Sequence, residues 1–262
     1  MLMVGRYKAI SNDQFNPLAK RMKAEMATFV LVHGAFQGAW VYAKIARMLR
    51  EAGHEVYTPT LTGVGERSHL ADRAINLDTH IQDIVNVFEY EDITDAILCG
   101  HSYGGMVTTG VTNQIGERIR SLVYIDAYAP ADGQSLMDIT GAEMALATLA
   151  MASGSGGMIP PTPASMFNVN EADAARVDAM SLPQPLATFV QAARGGVESA
   201  AVSAVNRTYI FATANGGDWF VSTHARLKDH PEWQVHEVAC GHEIMLDRPV
   251  ELMSLLSAEV AR

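Results

Sequence analysis

The sequence predicts an α/β fold: a mostly parallel sheet with helices on both faces and a mainly helical cap insertion. Three observations carry this expectation. Short apolar runs of strand character alternate with amphipathic helical stretches, the pattern of a sheet covered on both sides. One such run, Ala96-Ile97-Leu98-Cys99, stops at Gly100-His101-Ser102-Tyr103-Gly104 and gives way at once to an apolar, helix-compatible segment. From Ala127 to about Val205 the chain turns to alanine, methionine and glycine, with a breaker cluster from Ser153 to Pro163 that suits helices and loops better than sheet. The expected organisation is therefore a core of residues 26–126 and 206–262, a cap insertion of residues 127–205, and a flexible N-terminal extension of residues 1–25. Met26 directly precedes the first strand and is a candidate natural start.

Thr28-Phe29-Val30-Leu31-Val32 reads as a strand buried on both faces. Trp40 to Ala52 reads as an amphipathic helix carrying Ile45, Ala46, Met48 and Leu49, with Gly53 placed to end it. His54 to Pro59 is a second strand, and Leu61 to Leu70 a long loop in which Arg67 is expected to form a structural ion pair and His69 to face solvent, the alternative being an approach of both to the active site. Asp78 is expected to cap a helix bearing Ile81, Ile84, Val85 and Phe88. After the serine-bearing turn, a helix runs from Met106 to Ile115 and closes at Gly116. Ile119 to Asp126 is the next strand. Beyond the insertion come a strand at Arg207 to Thr213, a helix at Val221 to Leu227, a strand at Gln234 to Ala239, and a closing helix from Pro249 to Val260.

The Gly100-x-Ser102-x-Gly104 spacing is that of a nucleophile elbow, in which the serine occupies a strained strand-to-helix turn. Side chains at either glycine would collide with neighbouring backbone, and the serine is lifted toward a substrate. The Tyr103 N–H, at the start of the following helix, has no intrahelical partner and can donate to an oxyanion. The loop His33-Gly34-Ala35-Phe36 after the first strand offers the Ala35 N–H as a second donor, with Gly34 and Phe36 expected to border the substrate pocket.

Serine needs a base. Of nine histidines, His242 has the best position, in a glycine-bearing turn after the last strand. His101 is expected to point away from Ser102, His33 to support its loop, and His224, His230 and His236 to be solvated. The histidine needs a carboxylate to fix its tautomer. Asp126 ends an apolar strand where a buried charge would require a partner, and it is the favoured acid; Asp218 is the runner-up.

Composition narrows the partners. A formal net charge of −10 and a pI near 5.3, with no lysine or arginine cluster, argue against nucleic acid and against an anionic membrane surface. Residues 1–25 lack a signal-peptide apolar core, no run reaches transmembrane length, and Cys99 and Cys240 read as buried free thiols. These point to a cytoplasmic protein. No histidine pair has zincin spacing, so neither a metal nor another cofactor is expected. A homodimer stays open.

The run Phe29 to Ala35 with Gly38-Ala39-Trp40, the elbow Gly100 to Met106, and Gly241-His242 together resemble the α/β-hydrolase superfamily. The branch they most resemble contains small methyl esterases, hydroxynitrile lyases and related bacterial esterases. The resemblance implies a serine carboxylester hydrolase acting through an acyl-enzyme on a small, largely apolar ester. The alternatives are a hydroxynitrile lyase or other carbon–carbon bond lyase or hydrolase, and a ligand-binding receptor with the same fold. Lyases of this branch carry threonine where this chain has Gly34 and lysine where it has Glu243, which favours the esterase. The plant enzymes place their triad aspartate where this chain has Asn215, which is the reason to look to Asp126.

Overall fold

Strand and helix alternate through the chain, as the apolar periodicity requires. The computed structural model describes residues 26–262, and the expected extension over residues 1–25 lies outside them. The order begins β1 (Thr28–Val32), α1 (Ala43–Glu51), β2 (Glu55–Tyr57), α2 (Leu77–Tyr90), β3 (Ala96–His101), α3 (Gly104–Ile115) and β4 (Ile119–Ile125). Next come α4 (Leu136–Thr140), α5 (Ala142–Gly154), β5 (Met158–Ile159), α6 (Glu171–Met180), β6 (Gln184–Pro185), α7 (Ala187–Val190) and α8 (Ala200–Ser203). The chain finishes with β7 (Asn206–Ala212), α9 (Val221–Leu227), β8 (Trp233–Val238), α10 (Ile244–Asp247) and α11 (Pro249–Ala258).

Six strands form one sheet in the order β2-β1-β3-β4-β7-β8, with every neighbouring pair parallel. Alternating side chains point to opposite faces of a strand, and β3 shows the consequence. Ala96 and Leu98 enter a core shared with Leu77, Ile81 and Phe88 of α2 and Met106 and Val107 of α3. Ile97 and Cys99 enter a second core with Ile45 and Leu49 of α1 and Leu252 and Leu256 of α11. Both faces being covered, β3 has no polar side and reads as an unbroken apolar run. The central strands β3 and β4 therefore end in the middle of the molecule, where Ser102 and Asp126 follow them directly.

Several local expectations change. Asn76, not Asp78, caps α2; its side chain accepts from the Thr79 N–H while the Thr79 hydroxyl answers the Asn76 N–H. Asp78 sits one residue inside the helix, where its N–H meets Gln191. The loop around Arg67 winds into a 3₁₀ turn over Gly65–Leu70, and Arg67 pairs with Asp83 at 3.4 Å. The segment between β4 and β7 is mainly helical, but contains a short antiparallel pair, β5 with β6. His224 is buried and stacks on Phe211 at 4.2 Å instead of being solvated, because α9 turns that face onto β7. Among the described residues, no helix is long and apolar enough to cross a membrane.

Leu98, fully buried at the centre of the sheet, tests the double-sided core. Replacing it with alanine should cost about 2–5 kcal/mol of unfolding free energy in a denaturant titration. A loss under about 1 kcal/mol would mean that the site collapses freely and the core is not close-packed there.

Candidate active site

The turn from β3 into α3 holds Ser102 in a left-handed conformation, φ +52°, which a side-chain-bearing residue adopts only when its surroundings enforce it. Two glycines allow that. A Cβ on Gly100 would lie 2.6 Å from the Thr108 hydroxyl and 2.7 Å from the Gly104 carbonyl; one on Gly104 would lie 2.7 Å from the Val32 carbonyl. The turn is pinned on both sides: Ser102 N–H donates to Ile125 at 3.3 Å, and the Ser102 carbonyl accepts from Gly105 at 3.0 Å and from Tyr128 at 3.2 Å.

His242 follows β8. Its backbone N–H donates to the Phe167 carbonyl at 2.9 Å, and its ring stacks on Phe220 at 5.0 Å with Phe167 4.8 Å away. Nδ1 lies 2.6 Å from Asp126 Oδ2. Asp126 is itself left-handed, φ +42°. It is fully buried, with its other oxygen accepting from the Ala212 N–H at 3.1 Å. A carboxylate accepting at Nδ1 leaves Nε2 of a neutral ring free to take a proton. Burial pulls His242 below its ordinary range. Burial pushes Asp126 upward, opposed by the Ala212 amide and the Asn215 side chain, which favour its charged form. Ser102 and His242 border one small cavity without a hydrogen bond between them in this structure; such contacts commonly tighten only when substrate binds.

Asp126 and not Asp218 is the acid bonded to His242. Asp218 instead borders a cavity of about 370 Å³ together with Ala35, Phe36, Ser102, Tyr103 and Trp219. Phe36 thus reaches that space, from a backbone at φ +68° whose N–H is held by Gln184. Gly34 does not; it borders a separate cavity of about 20 Å³. Neither the Ala35 nor the Tyr103 N–H donates to an acceptor among the described residues, and both residues border the larger cavity with Ser102. His33 bonds its own loop, with Nδ1 at 2.7 Å from the Gly34 carbonyl and Nε2 accepting from Leu61 N–H.

Two buried contacts escape a reading of the sequence. His101 is expected to face elsewhere, yet its ring packs 4.4 Å from that of His242, and its Nε2 meets the His242 carbonyl at 3.1 Å. Glu243 is fully buried and accepts a short hydrogen bond from Gln37. His101, His242 and Glu243 offer ligand atoms within 4.8 Å of one another. Burial pushes the Glu243 carboxyl up to about 8, so near neutral pH this set carries little charge for a cation. No local pattern announces either contact, since partners far apart in sequence make both.

The chain matches the family model described as "Alpha/beta hydrolase family" over residues 29–255. It is 44% identical over 248 residues to a carbendazim hydrolyzing esterase from Nocardioides sp. (strain SG-4G), covering 89% of this chain and 99% of that protein. An alpha-hydroxynitrile lyase from Arabidopsis thaliana is 28% identical over 103 residues, 39% of this chain and 40% of that one. Among solved structures, an extracellular alpha/beta-hydrolase from a Paenibacillus species aligns with a TM-score of 0.75 and 26% identity, over 89% of this chain and 98% of that one.

The burial of His242 has a direct readout. Followed by NMR, its ring should titrate below 6.5, the neutral form persisting as pH falls and the proton arriving only under that value. A midpoint at or above 6.5 would contradict the assigned environment.

Proposed function

Because the chain belongs to the α/β-hydrolase family, we propose that it is a serine carboxylester hydrolase acting through an acyl-enzyme on a small, largely apolar ester. The observation that carries this reading is Ser102 on a strained elbow at the wall of a 370 Å³ cavity, beside a neutral histidine bonded to a buried aspartate. Ser102 Oγ attacks the ester carbonyl as His242 Nε2 takes its proton. Asp126 holds the ring's tautomer and stabilises the imidazolium. The Ala35 and Tyr103 amides receive the oxyanion, and His242 delivers its proton to the leaving alkoxide. Water then clears the acyl group by the same route in reverse.

Residues 127–205 act in this reading as a cap over a core formed by residues 26–126 and 206–262. Leu136, Ile139, Met144, Met151, Ile159 and Phe189 of that segment border the cavity, which supports an apolar substrate. Methionine there gives an adaptable wall. The carbendazim-hydrolysing relative supports ester hydrolysis. Two buried, unpaired cysteines suit a reducing, cytoplasmic setting. The lyase reading is disfavoured at one place: Glu243, buried beside His242, supplies no cation to stabilise a departing cyanide.

With short-chain aryl esters, Ser102→Ala should lower kcat/KM by roughly 10³-fold or more. Asp126→Asn should cost a comparable factor and Asp218→Asn less than about tenfold. Cyanide release from cyanohydrins without ester cleavage would establish the lyase, and a crippled Asp218→Asn beside an active Asp126→Asn would reassign the acid. Because burial lowers His242, kcat/KM should hold steady down through pH 6.5 and fall only as the base becomes protonated below it. A decline already under way at pH 7 would contradict this.

A further inference from the structure

The 20 Å³ cavity has Ser102 and His242 on its wall together with Gly34, Gln37, His101 and Glu243, and Ala35, Phe36 and Phe167 complete its lining. One water needs roughly 10–15 Å³ and two to four polar partners. Three of the bordering side chains carry fully buried polar atoms that have no partner among the described residues: Gln37 Oε1, His101 Nδ1 and Glu243 Oε2. Such atoms are costly to leave unpaired.

Their donor and acceptor characters can be assigned. His101 Nε2 faces the His242 carbonyl, which can only accept, so Nε2 carries the proton and Nδ1 of the neutral ring presents a lone pair. The Gln37 amide nitrogen donates to Glu243 Oε1, leaving Gln37 Oε1 an acceptor. Burial keeps the Glu243 carboxyl protonated near neutral pH, so its free oxygen can donate. Two acceptors and one donor are the complement of a water that gives two hydrogen bonds and receives one. Gly34 leaves the room for it. The point where a Cβ on Gly34 would sit is 2.9 Å from His101 Nδ1, 3.0 Å from Ser102 Cβ and 3.3 Å from Gln37 Oε1.

We infer that this cavity holds the hydrolytic water, and that Glu243, Gln37 and His101 are positioning residues for deacylation; this rests on the serine mechanism proposed above. Once the alcohol has left, the water turns one O–H from its side-chain acceptor to His242 Nε2. Its oxygen bonds to the acyl carbon as that proton passes to Nε2, and the carbonyl electron pair moves to the oxygen held by the Ala35 and Tyr103 amides. Collapse of the intermediate breaks the bond to Ser102 Oγ. His242 returns its proton to Oγ and the carboxylic acid departs.

The site predicts a defect confined to the second half of the reaction. Stopped-flow turnover of p-nitrophenyl acetate, with intact-mass detection of acetyl-enzyme, separates the two halves in wild type, Glu243→Met, Gln37→Met and Glu243→Gln. Both methionine variants should acylate within about threefold of wild type but deacylate about tenfold or more slowly, so that acetyl-enzyme accumulates. Glu243→Gln keeps a donor and an acceptor and should deacylate within about threefold of wild type. Should a methionine variant fail to fold, as judged by thermal unfolding, Glu243→Leu removes the same donor and should show the same slow deacylation. Wild-type deacylation in the methionine variants, acylation and deacylation falling by one common factor, or Glu243→Gln as slow as Glu243→Met would each overturn the water site. A wild-type enzyme that turns over ester without ever carrying acetyl on Ser102 would instead overturn the serine mechanism on which the site rests.

Discussion

The backbone approach between the β3–α3 turn and the end of β1 is the constraint on which the rest of the site depends. Gly104 lies so close to the Val32 and His33 carbonyls that any side chain there would collide with them, and this contact fixes how α3 leaves the sheet. Ser102 is consequently locked at positive φ at the cavity wall, with Tyr103 beside it at the start of the helix. The strain at Ser102 persists because backbone hydrogen bonds to Ile125, Gly105 and Tyr128 hold the turn from both sides. The same arrangement brings the loop after β1, and with it Ala35, beside the serine.

Parallel strands place their carboxyl ends on one edge of the sheet, where ligands bind in folds of this class. That edge explains the aspartate. Asp126 follows β4, yet its side chain reaches the space beneath His242 that Asn215, after β7, also borders; Asn215 is buried there and favours the charged form of Asp126. Either strand end can present a group to the same imidazole, because β4 and β7 are hydrogen-bonded neighbours. A carboxylate supplied by the first of them leaves the second free to carry an amide.

Much of this geometry was legible in the residues. Backbone constraints leave local signatures: the glycine-serine-glycine spacing, the apolar run before it and the glycine before His242 all announce turns. Asp126 was legible for another reason, since a charge closing an apolar strand implies a buried partner. The polar layer behind the reacting groups left no such trace. Gln37 meets Glu243 across 206 positions of sequence, and His101 reads as a by-product of the elbow until its ring is seen against His242. The sequence puts the cap of α2 at Asp78 and the structure puts it at Asn76, because both residue types favour helix starts and only two positions separate them. His224 reads as a solvated residue, but its burial is set by Phe211 of β7 and not by its neighbours in sequence.

The central claim is that Ser102 is a nucleophile activated by His242, and covalent labelling tests it most directly. Treatment with a small serine-directed phosphonate, followed by intact-mass and peptide analysis, should give a single adduct on Ser102 that forms orders of magnitude more slowly in His242→Ala. An adduct on another residue, or unchanged labelling without His242, would contradict the account.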